Sequence, residues 1–447
     1  ESNVTIPQGD ITVTVWRGLE YAVKKQTVGV RADPTSLTIK MERLSFPPEW
    51  RNWVSADVHV HMNYGGLYRN GPKKMLEQAR AEDLDIVFNT IVNKEVRIPD
   101  IDYFSVNPDP ASTDDALLIH SQEHHTSYWG HMGLLGLKDH YIMPGYTTYP
   151  NTAISSPHPS NSVVADLAHQ QGALVGYVHP FYEIPDPAKD DIHNALPVDV
   201  ATGKIDYYET VGFSYHLPSA EVWHRLLNCG FRISAAGGTD AMSNYASLRG
   251  PVGMDRTYVQ VNGTTSSPSQ KRDAWLAGLK AGNALATNSA ILHFEVNGQK
   301  PGSEVTVAGK KIKLNYKGFM RSIIPMDHLE IIQNGKVVKD IKLSGDKTTA
   351  DLEGTLTLDQ SGWLLLRAWN DTDHELIQDF YPYATTNPVY VIKDSMSIRS
   401  PQDADYFIRW IDKIYESASR QNYFTEAEKE LTLKHILTAK SVFESRK

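Results

Sequence analysis

A chain of 447 residues, 41% hydrophobic and 22% charged, is too long for one ordinary core and reads as two to four globular domains. Its net charge of −9 supplies no basic stripe to neutralise phosphates, which argues against a nucleic-acid partner, and no apolar run reaches the ~18 residues of a membrane span. Cys229 is the only cysteine, so an internal disulfide, cysteine-rich zinc modules and iron–sulfur clusters are excluded. The abrupt start at Glu1-Ser2-Asn3 favours an exported mature chain, periplasmic or extracellular, over a cytoplasmic one. Composition sets no oligomeric state.

Residues 1–50 predict a small β module. Ile11, Val13 and Val15 alternate with threonines, Leu37, Ile39 and Met41 alternate with polar residues, and Asp33-Pro34 supplies a turn. From 51 to 290 the pattern changes to strands alternating with helices. Apolar runs at Ile86–Phe88, Leu117–Ile119, Leu174–Val178, Tyr207–Phe213 and Ile233–Ala236 predict strands. Helical spacing appears over 72–81, 161–171 and 219–228, the last with Ser219 as N-cap and Gly230 as stop. Such β-then-α units favour a parallel sheet, open or closed into a barrel. Residues 291–395 return to alternation, with an Asn334-Gly335 hairpin turn, and predict a β-sandwich-like accessory domain. Two helices close the chain over 396–447, the second opening on the capping box Thr425/Glu428.

Thirteen of the seventeen histidines lie between His59 and His224. In Asp57-Val58-His59-Val60-His61, strand alternation sends both imidazoles to one face, a ready half of a metal site. Further candidate ligands fall where later apolar runs end: Glu123 with His124 and His125, then His131, His179 before Pro180, and Asp240 after Gly238-Thr239. In a β/α barrel these strand ends share one rim, so ligands dispersed in sequence converge in space. Asp57 is expected to orient His59 or its strand. Tyr64, Tyr128 and His125 are candidate donors to a developing oxyanion, and Arg249 is a candidate partner for an anionic substrate. His216 is expected at the rim, whereas Glu209 reads as structural.

These motifs resemble the polymerase-and-histidinol-phosphatase (PHP) superfamily. His61-Met62-Asn63-Tyr64-Gly65-Gly66, Ile91-Val92-Asn93-Lys94-Glu95, His125-Thr126-Ser127-Tyr128-Trp129-Gly130-His131 and Tyr245-Ala246-Ser247-Leu248-Arg249-Gly250 resemble its carbaryl-hydrolase-like branch. The resemblance covers roughly residues 50–290. It implies an α/β fold, a distorted (β/α) barrel of PHP type flanked by the N-terminal β module, the C-terminal sandwich and the terminal helices. It also implies one or two divalent ions (Zn, Mn or Fe), two being the expected count. His59, His61 and Asp240 would hold one, His131 and His179 the second, and Glu123 would bridge; His124 or His125 could stand in for His131. Positions where relatives with a third metal carry histidine are Leu67, Val92 and Met242 here, and Asn93, Lys94 and Glu95 stand at the same rim as groups that contact substrate or support the ligands.

The expected activity is metal-dependent hydrolysis of a small-molecule ester, amide or carbamate-type bond by a metal-bound hydroxide, with Asp240 or a nearby histidine moving the proton. One alternative is phosphoester hydrolysis, drawing on Arg249 or Lys94 to hold phosphate oxygens. Another is a glycan- or partner-binding protein with a relic metal site.

Overall fold

The computed structural model describes residues 4–32, 36–93, 100–141, 147–149, 151–245, 250–261, 263 and 265–447. The chain is a mixed α/β protein. Strands β1 (Gly9–Val15) and β2 (Lys24–Val30) pair antiparallel as a separate ribbon. The alternation at 37–41 forms no strand; just beyond it, a bridge of Tyr21 with Arg43 and the flanking bonds Ala22 N–H to Glu42 O and Leu44 N–H to Glu20 O join 42–44 to 20–22. The Asp33-Pro34 turn lies outside the described residues.

The central region runs β3 (Trp53–His61), α1 (Pro72–Ala81), β4 (Ile86–Val92), β5 (Leu117–His124), β6 (Met132–Leu135), α2 (Asn161–Gln170), β7 (Leu174–Tyr177), α3 (Leu196–Ala201), β8 (Tyr207–Gly212), α4 (His216–Asn228), β9 (Ser234–Gly238), β10 (Ala241–Met242), β11 (Arg256–Gln260), α5 (Pro268–Lys280) and β12 (Ala284–Thr287). Strands β3 to β9 lie side by side in chain order. Their side chains are buried on both faces, which is why the apolar runs read as continuous rather than alternating. Val58, Ile86, Phe88, Leu117 and Ile119 pack into one core, each such side chain contributing about 1.5–3 kcal/mol of burial.

The sheet is not uniformly parallel. β6 is antiparallel to both β5 and β7, because only a short link joins β5 to β6 and such a link can make a hairpin but not a crossover. At the far end β9 comes back against β3. A Cβ at Gly237 would stand 2.6 Å from the Arg256 carbonyl and one at Gly238 2.6 Å from the His59 Cβ, so this approach requires glycine at both positions. β10 then pairs parallel with β3.

Helix α4 begins at His216, a turn before the expected N-cap. Ser219 Oγ is spent on the Phe181 carbonyl at 3.0 Å, which ties the helix to the segment after β7. α2 carries Ser162, which together with Tyr177 hydrogen-bonds the fully buried Asp199 of α3. Burial pushes the Asp199 carboxyl up to about 7. Below about pH 4 folded and unfolded chains both hold this proton; between there and pH 7 only the folded chain does, so stability falls as pH rises through that window. Asp199→Asn is expected to melt higher than the wild type at pH 8, by on the order of 3 kcal/mol in stability, with the gap closing toward pH 4; equal melting at both pH values would contradict this.

The remaining strands are β13 (Ala290–Val296), β14 (Glu304–Val307), β15 (Ile312–Ser322), β16 (His328–Gln333), β17 (Lys336–Asp340), β18 (Thr349–Leu358), β19 (Gly362–Trp369), β20 (Tyr383–Thr386) and β21 (Val389–Lys393). β13, β15 and β18 form one sheet, and it packs across a shared apolar core on β16, β19, β20 and β21. That second group is no separate sheet: β20 pairs with β12, so hydrogen bonding runs unbroken from the central region. Helices α6 (Pro401–Ser419) and α7 (Glu426–Glu444) pack against α3 and α4, with Phe407, Trp410 and Ile411 buried. No helix among the described residues is long and apolar enough to cross a membrane.

Candidate metal centre

Six side chains meet where β3, β5, β7 and β9 end. A register slip between Asp57 and Val60 re-aims the end of β3. The Asp57 carboxylate acts on the backbone of both β3 and the Asp240 loop. It accepts the backbone N–H of His59, Thr239 and Gly253 and the Thr239 hydroxyl, pinning β3 to the Asp240 loop. His61 Nδ1 lies 2.7 Å from the Thr90 carbonyl, which makes Nδ1 the protonated nitrogen and leaves the Nε2 lone pair facing the pocket. His59 Nδ1 faces Glu209 Oε1 at 3.3 Å, too poorly directed for a hydrogen bond, and the adjacent carboxylate favours the proton on that nitrogen.

Glu123, at the end of β5, lies at the middle of the group. Its Oε2 stands 3.3 Å from His61 Nε2 and 3.6 Å from His59 Nε2, while its Oε1 stands 3.0 Å from His131 Nδ1 and 3.5 Å from His179 Nε2. The antiparallel β5–β6 turn is what returns His131 to it, since Glu123 pairs with Gly133. Asp240 completes the ring: Oδ1 is 3.0 Å from His61 Nε2 and 3.7 Å from His59 Nε2, and Oδ2 is 3.7 Å from His179 Nε2. His179 and Asp240 both have positive φ, 30° and 56°, a conformation non-glycine residues rarely hold. The Glu209 Oε2 bond to the His179 N–H (2.8 Å) and the His59 carbonyl bond to the Asp240 N–H (2.7 Å) keep them there.

The donors suit divalent cations. Nε2 of His59 and His61 and Nδ1 of His131 are buried without a properly directed hydrogen bond. Ligand atoms about 2.1 Å from a tetrahedral ion stand roughly 3.4 Å apart, and the contacts among these six side chains are 3.0–3.7 Å. Two groupings close enough to hold an ion are His59/His61/Asp240 and His59/Glu123/His179. Electrostatics agree. Burial alone would raise Glu123 and Asp240, but the imidazoles around them more than offset this and hold both carboxyls well below their usual range. Burial depresses His131, which suits a neutral ligand; burial alone would depress His59 and His61 too, but the Glu209, Asp240 and Glu123 carboxylates more than offset it and raise both, so these two rings hold protons that a cation would displace. The pocket is open on one side, where the His131 and His179 side chains are 24% and 16% exposed.

Around this ring, the Tyr64 ring lies 4.9 Å from His61 and the His125 ring 3.8 Å from His131. Asn93 holds the His125 N–H. Tyr128 does not face the centre; its hydroxyl lies 2.7 Å from Ser417 Oγ on α6. His216 is also elsewhere. The chain turns after β8, and the His216 ring is buried at the start of α4 with Nε2 2.8 Å from Asp379, so its partners are on the strand-rich C-terminal region and not among the six. His216→Ala is expected to lower stability by about 3–5 kcal/mol by stripping a buried carboxylate of one partner, without changing metal content. Loss of metal from this variant would bring His216 back into the centre. Arg249, Lys94 and Glu95 lie outside the described residues.

Glu209 is the residue that sequence reasoning misjudged. An acid in the interior of the otherwise apolar Tyr207–Gly212 strand is the signal that marks it, because a carboxylate buried there needs charged or N–H partners. Both partners it finds belong to the His/carboxylate ring.

No protein-family model and no curated protein matches this chain. Among solved structures it is similar to a two-domain protein containing a predicted PHP-like metal-dependent phosphoesterase from Bacteroides vulgatus, at 14% identity and a TM-score of 0.35 over 76% of this chain and 94% of that one. It is also similar to Endonuclease Q in complex with a 27-mer duplex substrate bearing an abasic lesion at the active site, at 16% identity and a TM-score of 0.30 over 49% of this chain and 56% of that one.

Proposed function

We propose that the chain is a metal-dependent hydrolase of PHP type and that a phosphoester of a small molecule is the bond it cleaves. One observation carries this reading: the two oxygens of Glu123 address different histidine pairs, His59/His61 and His131/His179. A carboxylate so placed could be shared by two cations, and paired cations would suit in-line displacement at phosphorus because they can steady both the entering and the leaving oxygen. Bound divalent ions would supply an acidified water and a Lewis-acid hold on the oxygen under attack.

The chain's own groups do the rest. Asp240, whose Oδ2 lies 3.7 Å from His179 Nε2, would accept the proton of a bound water. Glu209 and the Thr90 carbonyl keep His59 and His61 in the tautomer that donates from Nε2. Tyr64 and His125 flank the ring where substrate would enter.

Ester, amide or carbamate hydrolysis is the second reading. It is favoured by the three positions that would serve a third ion, which hold Leu67 at 92% exposure, buried Val92 and half-buried Met242. The completeness of the donor set speaks against a binding protein with a relic site. A panel of aryl phosphate, bis-aryl phosphate, aryl acetate and aryl carbamate, run with added Mn, Zn or Fe, separates the readings. Phosphate turnover that disappears with a chelator supports the first, turnover of acetate or carbamate alone replaces it with the second, and no turnover by metal-loaded protein refutes both.

A further inference from the structure

Helix α6 supplies none of the six ligands, yet it grips the chain beside two of them. Trp410, fully buried, donates its Nε1–H to the Asn194 carbonyl at 3.0 Å, and its ring stands edge-on to Phe181 with centroids 5.5 Å apart. Each partner leads to a different histidine. Phe181 is two residues beyond His179. Asn194 lies against Gly130, the residue before His131. A Cβ on Gly130 would stand 2.6 Å from Asn194 Nδ2, and φ there is 94°, so this approach requires glycine. Ala195 then donates its N–H to the Trp129 carbonyl at 2.9 Å, fastening the two segments side by side. Two tyrosines repeat the pattern. The Tyr128 hydroxyl meets Ser417 Oγ of α6 at 2.7 Å, and the Tyr406 hydroxyl of α6 donates to the Pro185 carbonyl at 2.7 Å. The helix therefore holds the chain on its approach to His131 and on its departure from His179.

We propose that Trp410 is a positioning residue for the His131/His179 half of the metal centre, and that α6 governs this half alone. The other half has its own fixings. Asp57 pins β3 to the Asp240 loop, His61 meets the Thr90 carbonyl, and the Asp240 N–H donates to the His59 carbonyl. His131 and His179 are less well secured by the sheet. One precedes β6 and the other follows β7, strands of four residues each, so few ladder bonds hold either end. Glu209 anchors the His179 N–H, but from there to Ala195 the chain forms neither helix nor strand. A ligand displaced by roughly 0.5 Å already leaves the productive geometry. A tryptophan buried against both segments fixes their separation, since its ring is rigid and its buried N–H demands an acceptor. This inference rests on the paired-cation reading above. It adds that the two ions depend unequally on a helix about 230 residues from the nearest of these ligands.

The test is calorimetric titration of the full chain with Mn after chelation has stripped it, with melting curves to show which variants fold. His131→Ala identifies which of the two binding steps belongs to the His131/His179 half. That step is expected to weaken at least about tenfold in Trp410→Phe, which keeps a ring near Phe181 and removes the donor to Asn194, while the other step moves less than about twofold. Tyr128→Phe removes a single hydroxyl and should weaken the same step by about threefold. It decides the matter if Trp410→Phe does not fold. A general loss of stability would not single out one step. Equal weakening of both steps, or an unchanged His131/His179 step in the folded variant, would overturn the proposal and leave the paired-cation reading intact. A wild-type chain that takes up one ion would overturn both together.

Discussion

Glu123→Ala is expected to empty both halves of the centre at once and to lower turnover at least about 10³-fold, some 4 kcal/mol of barrier. The reason is geometric. Asp240 has its closest contact, 3.0 Å, on the His61 side, whereas Glu123 stands within 3.6 Å of a histidine nitrogen on both sides through separate oxygens. Removing it also removes the acceptor that faces four imidazoles, so their mutual repulsion is unscreened when two or more are protonated. Elemental analysis of purified protein, beside a melting curve that shows the variant folded, checks the expectation. A folded Glu123→Ala chain with undiminished metal would contradict it.

Glu209→Gln should act without touching a metal. Its carboxylate sits 3.3 Å from His59 Nδ1 and accepts the His179 N–H, so it steers a ligand on each side of Glu123. Glutamine keeps the shape and loses the charge that makes His59 Nε2 a stronger donor. Metal affinity is expected to fall by about 10–100-fold, read by calorimetric titration with Mn or Zn. Glu209→Ala should do worse, because the His179 N–H loses its acceptor at a residue with φ of 30°. Unchanged affinity in both variants would reduce Glu209 to a packing residue.

How legible this was differs by residue. The His59-x-His61 pair and the ends of β5, β7 and β9 could be read because each ligand follows an apolar run buried on both faces, and strand ends of one sheet share an edge. Glu209 could not be assigned, since a lone acid on a strand reveals nothing of its partners until β7, β8 and β9 are placed. His216 misled for the opposite reason: it follows β8 as a ligand would, but the chain reverses before it and Asp379, 163 positions away, captures the ring. The direction of β6 was hidden as well. Alternation and length are the same for parallel and antiparallel strands, and only the short return through His131 decides it. The continuity of β12 with β20 is a pairing between segments about a hundred residues apart, which no local pattern encodes.

The account depends on paired cations seated on either side of one carboxylate. Diffraction from crystals grown with Mn, with anomalous scattering recorded, tests that directly. It predicts two anomalous peaks roughly 3.5–4 Å apart, one against His59 and His61 and the other against His131 and His179, with Glu123 between them. A fully loaded crystal with no peak inside this ring, or with one ion to which Glu123 is not bound, would contradict it.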